Sequence, residues 1–291
     1  MSDDDHFHIP WQLGKRGCYS KVLMTNVNNR MTDLKKKLES IYLKYNQRKY
    51  VDPDPLLFLY NYREKKNREI AGLIAACFAY GRVEQIMKIV ARVLDKLGPC
   101  PFDYLMEMRK KDIENDFKNF QYRFAKDVHL INLLWGIRKV LKRFDSLENC
   151  FYGGWSSEDE NILPGLVFFS HQIDKNSNAG HLLADPQKKS ACKRSLLYLR
   201  WMVREDLVDP GGWKKINPSQ LIVPLDTHMH KIGRLLGFTQ RRSADMKTAL
   251  EITKGFKKFE SNDPVKYDFC LTRFGIQRDM NIDQLTQFIH D

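Results

Sequence analysis

An acid at the mouth of a helix is the residue in this chain best placed to do chemistry. The stretch Val223-Pro224-Leu225-Asp226-Thr227-His228 closes an apolar run with proline and then presents Asp226. Ile232, Leu235 and Leu236 follow at helical spacing, and Gly237 ends the element. Asp226 caps that helix by accepting from backbone N–H groups that lack intrahelical partners. Capping alone is one reading; a fixed carboxylate able to stabilise positive charge on a substrate is the other. Upstream, a helix is expected over 190–205, and on it Lys189, Lys193, Arg200 and Arg204 share an arc of about 60°. Cys192, Leu196, Leu199 and Val203 form an apolar stripe beside that arc. The arc is either a solvated basic face or a phosphate-binding one, and the unpaired N–H groups at a helix start suit an anion.

Other clusters carry weaker chemistry. Phe78-Ala79-Tyr80-Gly81-Arg82 ends a buried helix at a sharp turn, where Tyr80 and Arg82 can stack on bases or simply flank a helix end. Gln121-Tyr122-Arg123-Phe124 repeats the aromatic–basic interleaving, so Tyr122 and Arg123 either line a cleft or pack. Asp209-Pro210-Gly211-Gly212 is a turn, with Gly211 and Gly212 as candidates for phosphate contact through their backbone. His228 and His230, two residues apart, diverge on a helix and make a poor metal pair. No metal and no cofactor is expected; His228 and Thr227 are read as supports of the Asp226 loop.

The elements that must position these residues are helical. Leu34, Leu38, Ile41 and Leu43 pattern a first helix from Thr32, broken at Asp52-Pro53-Asp54-Pro55. The apolar run from Glu69 to Tyr80 reads as a buried helix, and Val83 to Leu97 as another. Further helices are expected at about 127–143, 160–174, 226–236, 244–258 and 264–274. No segment alternates at period two and hairpin signals are absent, so the fold class is all-α. Residues 1–30 are read as a loose N-terminal extension and 31–291 as a single helical unit with a cleft.

Composition agrees. The 291 residues are 43% hydrophobic and 12% aromatic, enough for a buried core. The net charge of +12 favours anionic partners, nucleic acid first. No run approaches the roughly 18 apolar residues of a spanning helix, so no membrane partner is expected. Six cysteines lie apart without a C-x-x-C pair, which argues against a zinc ribbon or an iron–sulfur cluster; Cys77, Cys192 and Cys270 read as core residues. Without a signal peptide, the expected compartment is the reducing cytoplasm.

The Asp226 segment resembles the V-D-T-H-x-x-R-x-x-x-R-L-G stretch of the helix-hairpin-helix DNA glycosylase superfamily. Asp226, Thr227, His228, Leu236 and Gly237 match, and Lys231 stands where Arg is usual. The 33 residues from Lys193 to Asp226 exceed the compact hairpin of the endonuclease III type, and the Leu-Pro-Gly-Val-Gly hairpin is missing. The longer spacing is similar to the archaeal-type 8-oxoguanine DNA glycosylases. Ala191-Cys192-Lys193-Arg194, Arg200-Trp201-Met202-Val203-Arg204 and Pro224-Leu225-Asp226-Thr227-His228 look like a bacterial domain of unknown function akin to them. That resemblance covers about residues 32–276.

The resemblance implies a two-lobed helical fold and a DNA N-glycosylase with AP-lyase activity. Lys193 would be the Schiff-base nucleophile and Asp226 the catalytic acid. Lys189, Arg194, Arg200, Arg204, Gly211 and Gly212 would bind DNA. Tyr80, Arg82, Tyr122, Arg123 and Asp268 would form the base pocket or wedge. Asp268 would meet the extruded base, although Thr272 stands where an aromatic would follow, so guanine-lesion specificity does not carry over. The implied partner is double-stranded DNA with a damaged or modified base, bound by a monomer in a bacterial, nucleoid-associated setting. The alternatives are a non-catalytic nucleic-acid-binding helical module and an enzyme acting on another modified nucleoside.

Overall fold

The computed structural model describes residues 16–276 and 280–290. Helices make up 62% of the chain and strands almost none of it, which makes the fold mostly helical. Helix α1 (Arg16–Tyr45) begins upstream of the expected start at Thr32, and residues 1–15 lie outside the described residues. A 3-10 segment (Pro55–Asn61) leads into α2 (Lys65–Cys77) and α3 (Val83–Leu97), followed by α4 (Pro101–Glu107) and α5 (Lys110–Asp116). Then come a minimal hairpin, β1 (Gln121–Tyr122) and β2 (Ala125–Lys126), and helices α6 (Asp127–Phe144), α7 (Leu147–Tyr152) and α8 (Leu163–Asp174). Helices α9 (Lys193–Val203), α10 (Thr227–Leu235), α11 (Met246–Lys257), α12 (Asp268–Ile276) and α13 (Ile282–His290) complete the described chain. Among the described residues no helix is long and apolar enough to cross a membrane.

Helix α2 is buried from Glu69 to Cys77 and packs against α9 and the Pro55–Asn61 segment. Helix α9 is likewise buried from Tyr198 to Val203, so it is an interior helix that reaches the surface only toward its N-terminal end, at Lys193, Arg194 and Leu197. Its start is set back from the expected Ser190 because Cys192 adopts a left-handed conformation, φ 48°, that breaks the helix behind Lys193. The late helix also starts later than expected: α12 begins at Asp268. The hairpin was invisible to a search for glycine because Arg123, φ 51°, supplies the left-handed turn residue.

One buried acid organises this core. Glu69 is fully buried and accepts from the backbone N–H groups of Leu147 (2.8 Å) and Glu148 (3.2 Å) and from Trp213 Nε1 (3.0 Å). Burial pushes its carboxyl up to about 7, against the pull of those donors. A carboxyl whose folded value lies above its unfolded one stabilises the fold at low pH and loses that contribution as pH rises through the folded value. Glu69 therefore lowers stability progressively between about pH 4.5 and pH 7. Glu69→Gln is expected to flatten the fall in Tm from pH 5 to pH 8; an unchanged slope would assign that titration elsewhere.

Candidate active site

The buried run Leu221–Leu225 enters α10 through Asp226, which is extended (φ −118°, ψ −173°) as a capping residue must be. Its Oδ1 accepts from the Met229 N–H at 2.8 Å. That bond fixes the carboxylate and leaves Oδ2 to face Lys193 Nζ at 3.5 Å. Lys193 is the first residue of α9, so its ammonium sits against the helix dipole, a placement that helix stability does not explain. The two side chains keep 36% and 16% of their surface exposed, which makes this pair accessible to a ligand.

Both residues line a cavity of about 520 Å³, a size suited to a small-molecule or nucleobase ligand. Lys193, Asp226, Thr227 and His228 form one wall. Arg200, Asp268, Thr272 and Arg273 form another, and Ala79, Gly81, Val83 and Ile86 come from the α2–α3 turn and the helix behind it. Pro53, Asp54 and Pro55, read from sequence only as a helix breaker, also line it. His228 faces this cavity, while Nε2 of His230 meets the Arg241 carbonyl at 2.9 Å. The His228 ring fits only because residue 275 is glycine: a Cβ there would lie 1.9 Å from Nδ1. Gly275→Ala is expected to cost about 1–3 kcal/mol by overpacking and to move the ring. The added substitution His228→Ala should recover most of that loss in a denaturation double-mutant cycle; additive effects would disprove the contact.

The basic arc is not a DNA-facing surface. Arg200 and Arg204 are 2% and 4% exposed and are consumed by acids. Arg200 pairs with Asp209 at 3.2 Å and with Asp268, and Arg204 with Asp263 and Asp206 at 2.8 Å each and with Asp209. The helical-wheel arc placed them correctly in angle, but the chain covers that face with the Asp206–Asp209 turn and the start of α12. Lys189 is exposed in the turn before α9 and so never joins the arc. Arg194 is half-buried, donating through Nη1 to the Cys77 carbonyl at 2.6 Å and through Nη2 to the His181 carbonyl. Gly211 is buried; its N–H donates to the Trp201 carbonyl at 3.0 Å and its carbonyl accepts from Arg68 at 3.2 Å. The Gly211 N–H is thus spent on the end of α9 rather than offered to a phosphate, and Gly212 beside it is half-buried.

Asp268, expected as a base contact or a surface acid, is 3% exposed and forms part of the cavity wall. Burial pushes its carboxyl up to about 6, with Arg200 pulling it down and Asp226 adding to the rise. The influence of Asp226 on Asp268 is electrostatic coupling across the cavity. Arg273 is held by Asp54 at 3.2 Å and lies 4.4 Å over the Phe269 ring, a second buried guanidinium in the wall that nothing in the sequence singled out.

The two aromatic–basic segments meet. The Tyr122 hydroxyl donates to the Tyr80 carbonyl at 2.7 Å, and the Tyr80 hydroxyl to the Tyr122 carbonyl at 3.3 Å. Tyr122 is buried and Tyr80 half-buried, so both serve as fasteners, whereas Arg82 and Arg123 are exposed.

Residues 54–277 match the model of a family described as a protein of unknown function (DUF2400). Among curated proteins and among solved structures no match is found. The matched span takes in the Asp54–Arg273 ion pair, α9 and α10, and with them every residue from Asp54 to Ile276 that lines the cavity. By that span the chain belongs to the DUF2400 family.

Proposed function

We propose that the cavity is the active site of a DNA N-glycosylase with AP-lyase activity, in a fold of the helix-hairpin-helix glycosylase type. The observation that carries this reading is the Lys193 Nζ to Asp226 Oδ2 approach of 3.5 Å inside one cavity with room for an extruded nucleotide. Binding an anion needs the lysine but gains nothing from the acid; attack by an amine needs both. In the proposed reaction a nucleotide is extruded so that its sugar lies between the pair. Nζ passes a proton to Asp226 and attacks C1′ as the glycosidic bond breaks; the base departs with that bond's electron pair and takes the proton from Asp226, which is again a carboxylate. The nitrogen then gives a second proton through Asp226 to O4′ as the C1′–O4′ bond opens, leaving an iminium between Nζ and C1′; Asp226 takes up a C2′ proton as the bond to the 3′ phosphate breaks. Between these transfers the Asp226 carboxylate faces the positive charge of the iminium.

Duplex DNA carrying a damaged or modified base is the partner in this reading, supported by the net charge of +12 and by the exposed cations Lys189, Arg82 and Arg123. Borohydride trapping of the chain on abasic and lesion-bearing duplexes tests it. A covalent protein–DNA adduct is the expected result, and its absence across the panel together with absent base excision would overturn the assignment.

A further inference from the structure

The hairpin between α5 and α6 has no role in the reaction above, yet it is fastened to a turn that borders the cavity. Tyr122 and Tyr80 exchange hydrogen bonds of 2.7 and 3.3 Å, and Phe78 packs edge-on against Tyr122 at 5.8 Å, so the hairpin is fastened to the α2–α3 turn. The fastening is close: a Cβ on Gly81, φ +102°, would lie 2.6 Å from an Arg123 guanidinium nitrogen. Gly81 itself lines the cavity. At the turn of this fastened hairpin stands Phe124, 73% exposed, met edge-on by His181 at 5.8 Å and flanked by the Arg123 guanidinium at 5.9 Å.

A large ring held in water contributes little to the fold, and the Arg123 guanidinium stands beside it, exposed like Lys126 two residues on and Arg82 at the α2–α3 turn. An exposed aromatic beside a guanidinium complements a stack of bases flanked by phosphates. We propose that Phe124 enters the base stack of duplex DNA at the gap left by the extruded nucleotide, with Arg123 on the adjoining phosphate. This rests on the nucleotide-extrusion reading of the cavity. It assigns the wedge to the hairpin tip and leaves Tyr80 and Tyr122 as its anchors.

The test uses a duplex carrying a tetrahydrofuran abasic analogue, which has no base to excise, with 2-aminopurine next to the gap. Wild-type chain is expected to bind it and change the 2-aminopurine fluorescence. Phe124→Ala, at an exposed position that leaves the fold intact, should bind about 10- to 100-fold more weakly and abolish the change; Phe124→Trp should restore both. The salt dependence of binding should stay the same in Phe124→Ala and fall by about one in Arg123→Gln, since one phosphate contact is lost. Equal affinity and an equal fluorescence response in Phe124→Ala would overturn the wedge. Failure of borohydride trapping with an intact fluorescence response would instead overturn the Lys193 chemistry and leave the wedge standing.

Discussion

Lys193→Gln is expected to give no borohydride-stable adduct on an abasic duplex that wild-type chain captures. Reduction fixes the iminium between Nζ and C1′, and glutamine has no nucleophilic amine to form one. Duplex affinity should fall by no more than about tenfold, because one phosphate-proximal charge among several is removed. Asp226→Asn separates the two roles of that residue. Asparagine is as good an N-cap as aspartate, so the 2.8 Å bond from Met229 N–H has an acceptor and α10 keeps its start. What is lost is the negative Oδ2 facing Lys193 at 3.5 Å. Base release and trapping should then slow by about 10²- to 10⁴-fold with the melting temperature little changed. Trapping that survives in Lys193→Gln would move the nucleophile to another amine. Excision by wild-type chain without any trapping would leave Asp226 activating water.

The second large effect is on stability. Asp209 is fully buried between Arg200 and Arg204, which are themselves all but buried. Asp209→Asn keeps the shape and removes the charge that both guanidiniums share. Breaking a buried ion pair by neutralising one partner costs about 3–5 kcal/mol, since the other charge stays desolvated. Arg200 retains Asp268, and Arg204 retains Asp206 and Asp263, so the loss should lie at the lower end. The fall in Tm should be on the order of 10 °C, read by calorimetry, with an unchanged denaturant slope. A shift within experimental error would mean that these groups are not desolvated together. Because Arg200 and Asp268 also line the cavity, the same network ties the integrity of the site to that of the core.

Local sequence determined the longer helices and the acid, while the short helices α4, α5, α7 and α13 went unmarked. Hydrophobic periodicity marked α3 and α6 almost to the residue, because an amphipathic face repeats whatever it packs against. The N-cap at Asp226 was legible because capping depends on a few consecutive residues. What the arc on α9 faces was not legible. A helical wheel gives an angle, and burial is settled by distant chain: Asp209, Asp263 and Asp268 turned an apparent basic face into an internal ion network. The hairpin escaped because a left-handed arginine took the place of the usual glycine. The resemblance joined Lys193, Asp226 and Asp268 in one site, but that Arg273 shares their cavity was decided by tertiary structure alone. Those residues come from α9, the start of α10 and α12, and the packing of α9 on α2 and of α10 on α12 brings these elements together.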